Sequence, residues 1–96
     1  MTLTAQQATC FVNDIGFAAI AAPDDAVEAI TEAYCLLPEV ATTPTSLTNQ
    51  ELGQLTKVVT EAWRAVRDGK PARHLHHAKR LAERIADELN PNPTTA

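Results

Sequence analysis

Within the fifteen residues Lys70–Arg84 the chain gathers five cations, Lys70, Arg73, Lys79, Arg80 and Arg84, and all three of its histidines, His74, His76 and His77. Guanidinium and ammonium groups bind carboxylates and phosphates, so the chemistry on offer is recognition of an anion. Arg73, His77, Arg80 and Arg84 follow one another at steps of 4, 3 and 4, which places them on one stripe of a helix. Lys70 and Arg73 fall near the expected start of that helix, where positive charge opposes the macrodipole by about 0.3–1 kcal/mol each. A locally unfavourable arrangement is the mark of a partner that compensates for it. The candidate partner-binding or polyanion-binding set is therefore Lys70, Arg73, His77, Lys79, Arg80 and Arg84.

The histidines do not suggest a metal. Only His74 and His77 share a side, and no Cys, Asp or Glu follows them until Glu83, whereas zinc sites use three or four N, S or O ligands. No Gly-rich phosphate loop, GxSxG or HExxH pattern is present. No catalytic residue, cofactor, metal or small-molecule substrate is expected.

Charge divides the chain in two. Residues 1–56 hold seven acids and no Lys or Arg; residues 57–96 hold all eight Lys and Arg against five acids, so the halves carry −7 and +3. Either the acidic half packs beside the basic half, within or between chains, or the basic half meets a polyanion. The net charge of −4 favours the first.

The elements that must position these groups read as helices. Leu52, Leu55, Val59, Ala62 and Val66 recur at 3-4-3-4 spacing, and Leu75, Ala78, Ala82, Ile85 and Leu89 continue the rhythm. Asp68-Gly-Lys-Pro71 between them predicts a helical hairpin, with Gly69 ending one helix and Pro71 in the first turn of the next. Thr4-Ala-Gln-Gln7 and Thr48-Asn-Gln-Glu51 both fit capping boxes. In the first helix Ala8, Phe11, Ile15, Ala18 and Ala22 form the stripe, and Gly16 suggests close approach of a neighbouring backbone. The second carries Val27, Ile30, Tyr34 and Leu37 inward and ends at Pro38. Pro38–Ser46 then has the composition of an extended connection. Cys10 and Cys35, without CxxC or CxxH spacing, read as buried thiols, with a disulfide between the first two helices as the alternative.

The expected fold class is all-α: a compact four-helix domain with a C-terminal antiparallel helical hairpin. Its helices span about 4–21, 24–37, 48–68 and 71–89, followed by a disordered tail at 90–96. Residues 1–14 contain no Lys or Arg and the apolar run Ile15–Ala22 is eight long, which points away from a signal peptide or membrane span and toward the cytoplasm. Broad apolar faces favour a homodimer, with Phe11, Phe17 and Trp63 as candidate interface residues.

Leu47–Lys70 resembles the helix-turn-helix of phage-repressor-like transcription regulators. Leu47, Thr48, Glu51, Leu52, Leu55, Thr56, Val58, Gly69 and Lys70 match that pattern, with Trp63 and Val66 at its apolar positions. The chain departs from it at Gly53, Lys57 and Val59. The resemblance implies a recognition helix in the major groove, with Thr60, Glu61 and Arg64 meeting bases. One continuous helix explains the same stripe without a turn. The leading expectation is a non-enzymatic interaction or regulatory module that binds itself or another protein. The alternative is a small DNA-binding regulator using residues 57–84.

Overall fold

Two of the four helix starts are built alike. In the computed structural model, which describes residues 2–90, Thr4 and Thr48 each accept from the backbone N–H three residues on (3.1 Å). Each also donates its own N–H to the side chain of that residue, Gln7 or Glu51, at 2.9 Å. These reciprocal bonds satisfy donors that a helix start otherwise leaves open. They open α1 (Ala5–Ile20) and α3 (Asn49–Arg67). Helix α2 (Pro23–Thr42) begins instead with Pro23 and with Asp24 and Asp25 facing its positive end, and α4 (Leu75–Leu89) begins with no side-chain cap.

The four helices form a ring in which α1 packs on α2 and α4, and α3 packs on the same two. The α1–α2 seam and the α3–α4 seam therefore open on opposite sides. Buried Phe11, Ile15, Ile30, Leu55, Val59 and Ile85 fill the centre, and the apolar stripes expected on α1, α3 and α4 supply most of the core. A radius of gyration of 12.8 Å is that of a compact chain of this length. Among the described residues there is no strand, and no helix is long and apolar enough to cross a membrane. The expected tail, apart from Asn90, lies outside the described residues.

Helix α2 departs from expectation at its end and on its inner face. It does not stop at Leu37 but runs through Pro38 to Thr42. A proline inside a helix costs about 3 kcal/mol. Continuing the helix buries Val40 in register with Leu37, and each such side chain is worth about 1.5–3 kcal/mol. The helix end is held besides by the Thr43 hydroxyl, which donates to the Glu39 carbonyl (2.6 Å) and accepts from the Leu3 N–H (2.8 Å). The inner stripe is Ala26, Ile30, Ala33, Leu37 and Val40, while Val27 and Tyr34 are only partly buried beside it. Small alanines let the helices approach closely, and Tyr34 takes the flank facing α3.

The turn after α3 corrects the expected start of α4. Gly69, at φ 78°, sends its N–H to the Val66 carbonyl (3.0 Å), and Lys70 sends its own to Ala65 (2.8 Å). This is a Schellman closure, and a proline soon after it is a stop rather than a start. Pro71 therefore lies outside α4, which begins four residues later at Leu75. His74 precedes it in the left-handed conformation, φ 62°. Two further expectations change. What lies against Gly16 is the Lys79 stem, whose Cε would be 3.4 Å from an added Cβ, and not a backbone. Cys10 and Cys35 are exposed, unpaired thiols, because neither falls on its helix's inner stripe.

Candidate functional site: a basic groove between α3 and α4

Alanine is what opens this site. Ala62 and Ala65 give α3 a low flank toward α4, and the Schellman turn folds Lys70 and Pro71 back beside it. The resulting hollow, about 480 Å³, is lined by Glu61, Ala62, Ala65, Lys70, Pro71, Arg73 and His74. A second of about 390 Å³ shares Glu61 and His74 and adds Gln54, Lys57, Val58 and His77. Together they make one groove along the seam. Its rim holds three permanent cations, Lys57, Lys70 and Arg73, and one acid, Glu61. His77 is tethered across it, its Nε2 lying 3.2 Å from Gln54 Oε1. The left-handed backbone at His74 costs about 1–2 kcal/mol. It sets the imidazole at the junction of the two hollows.

Of the four residues expected on one stripe, His77, Arg80 and Arg84 are exposed along α4 and Arg73 falls before it. Lys70, Arg73 and His77 line the groove. Arg84 lies at the far end of the same seam, bonded to Glu51 (2.8 Å) and to Ser46 Oγ (3.3 Å). There Ser46 donates its N–H (2.9 Å) and its hydroxyl to Glu88. These donors hold two carboxyls below their usual range: Glu51 through the Thr48 N–H and then Arg84, Glu88 through the Ser46 hydroxyl and then its N–H. Lys79 lies over Gly16 at the α1–α4 seam, and Arg80 stands exposed on the outer face of α4. Lys57 and Glu61 are groove residues outside that set. Their steps from Gln54, at 3 and 7, mark them as a polar edge beside the Leu55–Val66 stripe.

The single helix that explains the apolar stripe is what forms, and the turn of the helix-turn-helix resemblance is absent. Residues 49–67 form one continuous helix, with Lys57 in its middle where the turn would fall. Thr60 and Glu61 line hollows on opposite flanks of that helix, so they do not share a reading face. Of the expected interface residues, Phe11 is fully buried in the core and presents nothing to a second chain. Trp63 is engaged within the molecule: it stacks on Tyr34, donates to Thr31 Oγ1 (3.1 Å) and lies under the Arg67 guanidinium. Phe17 alone of the three is exposed, at 49%.

The charges of the acidic and basic halves meet through Glu51 and Arg84 alone among the described residues, and the acids of α1 and α2 form no salt bridge there. The Glu51–Arg84 bridge joins α3 to α4. On the opposite side of the ring, Asp14, Phe17, Asp25, Glu28 and Glu32 surround a hollow of about 370 Å³ between α1 and α2. Burial, together with Glu32 beside it, raises the Asp14 carboxyl to about 7, and its Oδ2 is buried without a hydrogen-bond partner. Among the described residues, no three His, Cys, Asp or Glu side chains are grouped to hold a metal ion. No family model, curated protein or solved structure matches the chain.

Proposed function

We propose that this chain is a non-enzymatic helical interaction module whose α3–α4 groove receives an acidic protein surface. The observation that carries the reading is the uncancelled charge. Among the described residues, Asp24, Asp25, Glu28 and Glu32 make no ion pair with the cations of α3 and α4. A cationic groove over an alanine floor suits a carboxylate-rimmed helical surface, with contact area from the floor and register from the rim. A second copy of the chain carries such a surface.

The experiment is sedimentation of the purified protein across salt concentrations, with binding of a labelled Glu-rich helical peptide measured in parallel. Association or peptide binding that weakens with salt, and is lost in Lys70→Glu/Arg73→Glu, is the expected result. Monomeric mass at every salt with no peptide binding overturns the reading.

The same three cations favour nucleic acid as a second reading, since a groove of Lys and Arg also fits a phosphate backbone. Glu61 inside the groove and the acidic remainder of the molecule oppose it. Fluorescence anisotropy with duplex DNA at low salt decides: binding that falls steeply with added salt and with Lys70→Glu/Arg73→Glu would replace the protein-partner reading.

A further inference from the structure

On the side opposite the groove, the two exposed large hydrophobic residues among those described stand three apart on the outer face of α1: Phe17 at 49% and Ile20 at 82% exposure. An apolar pair left in water on a small domain is informative when it is contiguous and rimmed by charge. Toward α2 the rim is acidic, while toward α4 the Lys79 side chain lies over Gly16, one turn before Ile20. Asp14, Asp25, Glu28 and Glu32 border Phe17, and no Lys or Arg occurs anywhere before residue 57. The face is thus an apolar knob with an acidic border toward α2. The α3–α4 groove is its counterpart: an Ala62–Ala65 floor rimmed by Lys57, Lys70 and Arg73 with one acid, Glu61.

We infer that the Phe17–Ile20 face of one copy seats in the α3–α4 groove of the next, so that copies of this chain join head to tail. The inference rests on the proposed role of the groove and names its occupant. Pairing two Phe17 faces about a two-fold axis would press four carboxyls against four, and pairing two grooves would do the same with cations; like-charge contact of this kind costs several kcal/mol. Unlike faces remove that repulsion. Because the two faces lie on opposite sides of one helical ring, each joined pair keeps one free groove and one free acidic face. The contact is heterologous and extends.

Two variants with one face disabled each test it: Phe17→Ser/Ile20→Ser, at exposed positions, and Lys70→Glu/Arg73→Glu, also exposed; circular dichroism and thermal melting check that each folds. Sedimentation velocity at low salt should show wild type growing past dimer with concentration. Each variant alone should associate on the order of tenfold more weakly or worse. An equimolar mixture should form a one-to-one dimer that does not grow, since it contains one intact groove and one intact face. Undiminished association of Lys70→Glu/Arg73→Glu alone would overturn the head-to-tail contact in favour of face to face. A mixture that stays monomeric while wild type associates overturns it too. If wild type stays monomeric at every concentration, the inference falls. Groove-dependent binding of the Glu-rich peptide would still support the function proposed above, and loss of both would remove both.

Discussion

On the flank facing α2, Trp63 lies parallel to Tyr34 with centroids 4.2 Å apart, its indole N–H bonded to Thr31 and the Arg67 guanidinium 4.5 Å from its ring. On the flank facing α4, Ala62 and Ala65 leave an open groove ringed by Lys57, Lys70 and Arg73. One helix is thus closed by large flat side chains on one side and left open by small ones on the other. The core stripe Leu55–Val66 holds α3 in place for both. With the groove in its proposed role, stability and recognition are separated across about half a helical turn. A change on the closed flank should unfold the protein, and a change on the open flank should alter what it binds.

The largest test of that contrast is Trp63→Ala. Losing the stack, the indole hydrogen bond and the cation–π contact from a half-buried site should cost about 2–3 kcal/mol of stability. Chemical denaturation would show it as a lower midpoint, and the folded fraction should keep its binding to the Glu-rich peptide. Equal loss of binding and stability would mean that the two flanks are not independent.

His74→Gly comes next and works in the opposite direction. Glycine accepts the left-handed conformation without strain but is freer in the unfolded chain, so the net gain should be about 0.5–1 kcal/mol. A stabilised variant with weaker anion binding would show that strain at His74 serves the groove. A destabilised one would show that the imidazole itself braces the turn.

Arg84→Ala should have the smallest effect. The Glu51 pair is exposed and salt-screened, so a difference from wild type should emerge only at low ionic strength. Folding lowers the Glu51 pKa below its ordinary 4.5, so its contribution is complete above that value and is lost as pH falls through the folded one. The variant and wild type should therefore converge in acid. Divergence there would place the role of Arg84 elsewhere.

Sequence pattern carried much of the fold because apolar periodicity and capping are local. Phe11 and Ile15, Leu55 and Val59, and the two threonine caps all lie where spacing puts them. What was not legible depended on competition or apposition. Pro38 reads as a terminus until the burial of Val40 is weighed against its cost, and Pro71 reads as a start until the Schellman bonds of Gly69 and Lys70 are seen. The alanines of α2 look weaker than Val27 and Tyr34 as core residues, yet close packing selects them. The site was legible as a basic segment but not as a groove. Lys57 and Glu61 belong to it only because α3 lies against α4, and Lys79 and Arg84 leave it because other partners take them.

The Thr43 hydroxyl, buried between Leu3 and Glu39, closes a loop of forty residues with one hydrogen bond. In kinetic terms such a closure carries the entropy of all the intervening chain, and it gains little until α1 and α2 have already paired. The amino-terminal residues should accordingly be the last to settle as the bundle assembles and the first to lift away, opening on a clock of their own. The Leu3 amide would then exchange with solvent well before that of Ile30, and a protease would find the beginning of the chain while the core still stands.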